Sequence, residues 1–114
     1  MIKVEGLTKY YGSKPAAKDI SFEVKNGEVF GILGTNGAGK STTIKMMCGL
    51  LKPTRGIIQI GGINLQRMPL KAKSMMGYLP ENPLIYDKLT GAETLELIGN
   101  LRKLSSGMIE QRIE

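Results

Sequence analysis

The sequence predicts a mixed α/β fold within a single domain spanning residues 1–114, and three observations support this prediction. The 114 residues are enough for one hydrophobic core and too few for two. Apolar residues in the first third of the chain alternate with polar ones, as in a β-strand. After a glycine-rich stretch, apolar residues recur at the three- and four-residue spacing of a helix. Strands and helices are therefore both expected, with the glycine-rich stretch between them.

Two strands are predicted before the glycines. In DISFEV, residues 19–24, the apolar side chains alternate with polar ones, so one face of a strand is apolar and the other is polar. Asn26 and Gly27 tolerate the positive φ angles of a two-residue hairpin turn. Residues 28–33, EVFGIL, are apolar on both faces, which is typical of a strand buried within a sheet. We therefore expect a hairpin that ends in a buried strand.

The helix predicted after the glycine-rich stretch has one apolar face and a defined end. Gly49 and Pro53 limit its length. The residues of the apolar face are Ile44, Met47, Cys48 and Leu51.

The second half of the chain predicts shorter elements. Two strands should flank Gly61-Gly62, Pro69 should open a short helix that extends to Met75, and MGYLP should form a short strand that ends at Pro80. Thr90 and Glu93 have the spacing of a capping box. The helix that follows this box should carry an apolar stripe of Leu97, Ile98, Leu101 and Leu104.

The stretch GTNGAGKST, residues 34–42, has the pattern G-x-x-x-x-G-K-[ST] between a predicted strand and a predicted helix. Gly34, Gly37 and Gly39 lack a Cβ, so their backbone N–H groups can turn inward and surround a phosphate. The start of the helix adds N–H groups that have no partner within the helix. The sequence thus predicts a P-loop that holds the β-phosphate of a nucleotide.

The side chains at the end of this loop complete the predicted phosphate site. Lys40 should reach the β- and γ-phosphates, Ser41 should bind Mg²⁺, and Thr42 should donate to the α-phosphate. A Rossmann dinucleotide loop is excluded because Thr42 stands where a third glycine is required. Guanine selectivity has no visible source, since the chain contains no Asn-Lys-x-Asp segment.

Composition excludes several other classes of function. The net charge is +6, but the basic residues are dispersed, which indicates a solvated surface and no nucleic-acid partner. A surface for anionic lipid or an acidic protein stays an alternative. One cysteine and no histidine leave neither an internal disulfide nor a Cys/His zinc site. No apolar stretch is long enough to span a membrane, and Lys3 and Glu5 occupy the place of a signal-peptide core, so a cytoplasmic location is expected.

Four segments together resemble the first half of an ATP-binding-cassette (ABC) transporter ATPase. They are SFEVKNGEVFGIL, GTNGAGKST, GLLKPTRGIIQIGG and GYLPENPLIYDKLT. The resemblance extends over nearly the whole chain, and it is greatest for the subfamily that has glutamate in GYLPE. It implies a P-loop NTPase fold of the ABC ATPase type, with an N-terminal antiparallel β subdomain and an incomplete central sheet.

The resemblance also implies a binding site for ATP. Tyr11, in LTKYYG, matches the aromatic residue that stacks on adenine, with Tyr10 as the alternative. Glu81 matches a position that usually carries the glutamine that contacts Mg²⁺. Glutamate in place of this glutamine puts the coupling of hydrolysis to transport in doubt. The alternative is that Glu81 is a solvated loop acid. The complete nucleotide-binding set is then Tyr11, Gly34, Thr35, Asn36, Gly37, Ala38, Gly39, Lys40, Ser41 and Thr42, with Ser41 and Glu81 at Mg²⁺.

Several elements of the family do not occur in these 114 residues: the LSGGQ signature, the Walker B Asp-Glu pair, the aspartate loop and the switch histidine. LSSGM, residues 104–108, is interpreted as a connection between helices, and PLIYD, which ends at Asp87, as part of a loop. Lys40 and Glu81 are then only partial contributors to catalysis. We expect this chain to bind MgATP and to hydrolyse it poorly or not at all.

The resemblance implies partners as well. In the complete transporter these are a transmembrane permease and a second nucleotide-binding domain, with the ATPase peripheral on the inner face of the cell membrane. The chain itself is expected to be truncated and to self-associate through exposed sheet edges. A stand-alone ATP-binding module and an inactive interaction fragment are the alternatives.

Overall fold

The computed structural model describes residues 1–35, 37, 39–83 and 85–114, which form two compact units, Met1–Tyr78 and Leu79–Glu114. The second unit contains the helices α3 (Gly91–Leu101) and α4 (Ser106–Ile113). None of the described helices combines the length and the apolar character that a bilayer span requires. The elements of the first unit are β1 (Ile2–Tyr11), β2 (Lys14–Val24), α1 (Lys40–Met47), β3 (Arg55–Ile60), β4 (Ile63–Asn64) and α2 (Pro69–Ser74).

The first unit is built on an antiparallel sheet with the strand order β2-β1-β3-β4. Val4 of β1 lies opposite Phe22 of β2 on one side and Ile58 of β3 on the other. Val4 and Ile58 are buried, because alternate residues of each strand face the core. The predicted antiparallel β subdomain is thus confirmed.

Helix α1 packs its buried residues onto this sheet. Thr43 and Met46 are its fully buried residues, and the predicted apolar face is half-buried, with Met47 and Leu51 packed against the core. Thr43 can be buried because its hydroxyl donates to the carbonyl of Gly39 at 2.7 Å. The core comprises Val4, Leu7, Ala17, Met46, Ile58, Ile60, Leu65 and Ala72.

The predicted strand over residues 28–33 is not formed. The turn before it exists, with Gly27 at φ +75° and the Glu28 N–H donating to the Lys25 carbonyl at 3.2 Å. However, β2 pairs with β1, and no strand in the described part of the chain pairs with residues 28–33. Val29 is 99% exposed and Leu33 is 95% exposed. This apolar segment lacks sheet partners, which agrees with the predicted incomplete central sheet.

Most of the remaining local predictions are confirmed. α1 ends at Met47 and Gly49 follows at φ +67°, while β3 and β4 flank Gly61-Gly62. Helix α2 begins at Pro69 and is capped by Met75. The predicted strand in MGYLP was wrong, because residues 76–80 form no regular element.

The second unit is a pair of helices joined by residues 102–105. The predicted capping box is confirmed, since the Glu93 N–H donates to Thr90 Oγ1 at 3.2 Å and the Thr90 N–H donates to Glu93 Oε2 at 2.7 Å. The helices approach closely at Gly99, where a Cβ would lie 2.7 Å from Cγ1 of Ile109. LSSGM spans the end of the connection and the first turn of α4, while the predicted stripe is exposed.

Replacing Thr90 with alanine should destabilise the start of α3 by about 1 kcal/mol, because the N-cap acceptor is lost. The hydrogen bonds from Thr90 lower the pKa of Glu93. The stabilisation from Glu93 is therefore present above its unfolded pKa and is lost as the pH falls through the folded value. The protection factors of the Glu93 and Thr94 amides, measured against intrinsic exchange at the same pH, should fall in Thr90→Ala and, in the parent chain, at acidic pH. Unchanged protection in both cases would contradict this role of the box.

Candidate functional site

A cavity of about 520 Å³ in the first unit brings together the end of the β1-β2 pair and the start of α1. Tyr11 and Lys14, which are opposite each other in the β1-β2 register, lie on one side of it. The full lining is Tyr11, Lys14, Pro15, Ala16, Gly37, Gly39, Lys40, Ser41 and Thr42. An aromatic ring, two ammonium groups and a helix start therefore border the same space.

The backbone of the glycine-rich loop requires glycine at two described positions. Gly37 has φ +84° and Gly39, the N-cap of α1, has φ +90°, a region that residues with a Cβ rarely adopt. A Cβ at Gly39 would also clash with the carbonyl oxygen of Ala16 in β2. The loop can therefore lie directly against β2.

The start of α1 is suited to bind an anion. The first intrahelical bond is donated by Thr43 to the Gly39 carbonyl at 2.9 Å, so the preceding N–H groups of Lys40, Ser41 and Thr42 have no helical acceptor. The first turn contains no acidic residue. The helix dipole adds to the charge of Lys40, and this end of the cavity is electropositive.

Lys40 is half-buried, and its ammonium group donates to the carbonyl of Gly34. Gly34 and Thr35 are exposed and lie outside the cavity lining. Asn36 and Ala38, which complete the predicted loop, lie outside the described residues. The structure thus brings together Tyr11, Gly37, Gly39, Lys40, Ser41 and Thr42 of the predicted set.

The two candidate tyrosines have different environments. Tyr11 is 57% exposed and lines the cavity. Tyr10 is half-buried, its backbone N–H donates to Thr54 Oγ1 at 3.0 Å, and it lies outside the lining. Tyr11 is therefore the one of the two that has a ring surface available to a ligand in the cavity.

Sequence reasoning missed Lys14, Pro15 and Ala16 as lining residues. They carry no recognisable phosphate-binding pattern, and they reach the cavity because β2 folds back on β1 after Gly12 and Ser13. Gly12 was a signal that could have found them, since a tight turn at this glycine places Lys14 beside Tyr11.

Glu81 belongs to the second compact unit and is exposed. Its role at Mg²⁺ stays a prediction. Within the described residues, no group of three or more His, Cys, Asp or Glu side chains could hold a metal ion by itself.

Comparison with known proteins supplies the family. The sequence pattern of the ABC transporter family matches residues 17–114 of this chain. The chain belongs to the ABC transporter family. The linearmycin resistance ATP-binding protein LnrL of Bacillus subtilis is 42% identical over 112 residues, which are 98% of this chain and 36% of that protein.

Solved structures of this family share the fold. The ATP-binding subunit of an ABC transporter superposes with a TM-score of 0.87 at 38% identity, with 98% of this chain and 47% of that chain covered. The dimeric post-hydrolysis state of the ATP-binding cassette MJ0796, bound to ADP and Pi, gives a TM-score of 0.81 at 26% identity, with 99% and 54% covered. The predicted α/β fold of the ABC ATPase type is confirmed, and the chain spans about half or less of the relatives that it matches.

Proposed function

We propose that this chain is the MgATP-binding segment of an ABC transporter ATP-binding subunit, with residues 1–114 forming the N-terminal part of one nucleotide-binding domain. The proposal rests on one observation: Tyr11 and the start of α1 line the same cavity. An adenine ring needs a π-face, and a triphosphate needs amides and cations. The cavity supplies both.

The triphosphate would lie over Gly37, Gly39 and the start of α1. Inward N–H groups, together with the uncapped first turn, would bind the β-phosphate. The ammonium group of Lys40 would leave the Gly34 carbonyl, which it contacts in this structure, and would pair with the β- and γ-phosphates. Gly34, Thr35, Asn36 and Ala38 complete the proposed loop, and Thr42 would donate to the α-phosphate.

The residues present fit Mg²⁺ as an ion shared with the nucleotide. Ser41 lines the cavity, and one hydroxyl oxygen beside phosphate oxygens is a common Mg²⁺ environment. The described residues offer no carboxylate cluster that would hold the ion alone. When bound, Mg²⁺ neutralises phosphate charge. We propose Ser41 as its ligand, and Glu81 stays the second ligand that the sequence predicts.

In the complete protein, ATP binding and hydrolysis would drive transport through a membrane permease. A second nucleotide-binding domain would pair with this one, and the assembly would lie at the inner face of the cell membrane. The apolar segment 28–33, most of which is exposed, would make the chain alone prone to self-association, since its unpaired backbone groups can pair with a strand of another copy. Size-exclusion chromatography over a range of concentrations tests this last point.

Replacing Tyr11 with alanine should weaken ATP and ADP binding equally, by about 1 to 3 kcal/mol, because both nucleotides carry the adenine that would stack on the ring. Isothermal titration calorimetry measures both affinities. Tyr86→Ala removes a comparably exposed tyrosine, 64% exposed, from the second unit and serves as the control. A loss confined to ATP would contradict adenine stacking.

A further inference from the structure

Lys9 lies over the ring of Tyr11, with its ammonium nitrogen 5.3 Å from the ring centroid. The same ammonium donates to the backbone carbonyl of Lys52 at 2.9 Å. A cation within about 6 Å of an aromatic centroid is attracted to the ring face. Lys9 thus connects the cavity tyrosine to the segment that follows α1.

The carbonyl that anchors Lys9 is itself held in place. The Thr54 N–H donates to the Thr8 carbonyl at 2.8 Å, and Thr54 Oγ1 accepts from the Tyr10 N–H at 3.0 Å. The segment around Lys52 is therefore attached to β1 on either side of Lys9. The ammonium group cannot move far from Tyr11 without losing its acceptor.

The ring of Tyr11 borders the cavity, but the ammonium group of Lys9 does not. Tyr11 lines it, whereas Lys9 lies outside the lining. A tyrosine that is 57% exposed has few packing contacts to select one rotamer, so an additional contact is needed to keep its ring in one orientation.

We propose that Lys9 is a positioning residue that holds the ring of Tyr11 from the side away from the cavity and leaves the other ring face for the base of a nucleotide. This inference rests on the proposed nucleotide site. The cation–π contact orients the ring before the ligand arrives, so less conformational freedom is lost on binding. Lys9 itself does not touch the ligand.

The test uses Lys9→Gln, which removes the charge over the ring and keeps an uncharged hydrogen-bond donor. MgATP and MgADP should each bind about two- to fivefold more weakly, the range typical of an exposed cation–π contact. Inorganic tripolyphosphate, which has no base, should bind with unchanged affinity. Lys9→Arg should restore nucleotide binding, because a guanidinium group also stacks on aromatic rings.

Two controls separate positioning from other effects. Lys18→Gln removes the same charge from an exposed position of β2 and should leave all affinities unchanged. In a Tyr11→Leu background, Lys9→Gln should have no further effect. If circular dichroism shows that Lys9→Gln does not fold, nucleotide binding by Lys9→Arg is compared with that by the parent chain. Weaker nucleotide binding by Lys9→Arg would overturn the proposal.

The outcomes distinguish this inference from the function on which it rests. Absence of MgATP binding by the parent chain would overturn the proposed nucleotide site and this inference with it. Normal binding by the parent chain combined with unchanged or tighter nucleotide binding by Lys9→Gln would overturn the positioning role alone. A parallel loss of tripolyphosphate binding would also overturn it, because Lys9 would then act as a phosphate charge.

Discussion

Replacing Lys40 with alanine is expected to weaken MgATP binding by about 2 to 3 kcal/mol, roughly 30- to 150-fold, because charge-assisted hydrogen bonds to the phosphates are lost. Lys40 lies at the first position of α1 and lines the cavity beside Ser41 and Thr42. Its present acceptor, the Gly34 carbonyl, is a neutral group that an anionic phosphate would displace. Isothermal titration calorimetry of the variant with MgATP measures the loss.

Lys45→Ala is the matched control for Lys40. Lys45 lies in the last turn of the same helix, is exposed, and does not line the cavity. Its removal lowers the net charge by the same amount and should change the dissociation constant little. An equal loss in both variants would mean that overall charge, rather than a phosphate contact, drives binding.

Replacing Leu7 with alanine should lower the free energy of unfolding by about 2 to 5 kcal/mol, since a buried leucine leaves a cavity when it is truncated. Leu7 is 0% exposed and belongs to the core cluster between the sheet and α1. A loss of this size is a large share of the stability of a small domain. Urea denaturation followed by circular dichroism measures it.

Leu33→Ala makes the same chemical change where the side chain is 95% exposed. Its unfolding free energy should stay within about 0.5 kcal/mol of the parent value. A strongly destabilised Leu33→Ala chain, at a concentration where size-exclusion chromatography shows a monomer, would contradict the exposure described for this segment.

The local features of the fold could be predicted from the sequence. The capping box of Thr90 and Glu93, the end of α1 near Gly49 and the turn at Gly61-Gly62 depend on residues within a few positions of each other. Such features are determined by side-chain hydrogen bonds and φ preferences that the sequence carries directly.

The long-range pairings could not be predicted in this way. Residues 28–33 have a strand composition, but a strand requires a neighbour, and β2 pairs with β1 and not with this segment. The preference for β structure is consequently not realised in that segment. The Asn26-Gly27 turn formed without its hairpin, which shows that a turn alone does not determine strand pairing.

The candidate site was partly predictable for the same reason. The P-loop residues are contiguous, so their spacing identified them, while Lys14, Pro15 and Ala16 join the cavity through the β1-β2 register. The contact of Lys9 with Tyr11 depends on the position of Lys52, more than forty residues away in the chain. Sequence spacing contains no information on that contact.

One cavity is proposed to hold both the base and the phosphates of ATP. The most direct measurement is a backbone amide NMR titration of the chain with a non-hydrolysable MgATP analogue. The amides of α4 should not shift, whereas those of the cavity residues should: Tyr11, Gly37, Gly39, Lys40, Ser41 and Thr42. Shifts confined to residues outside this cavity, or no shifts at saturating analogue, would contradict it.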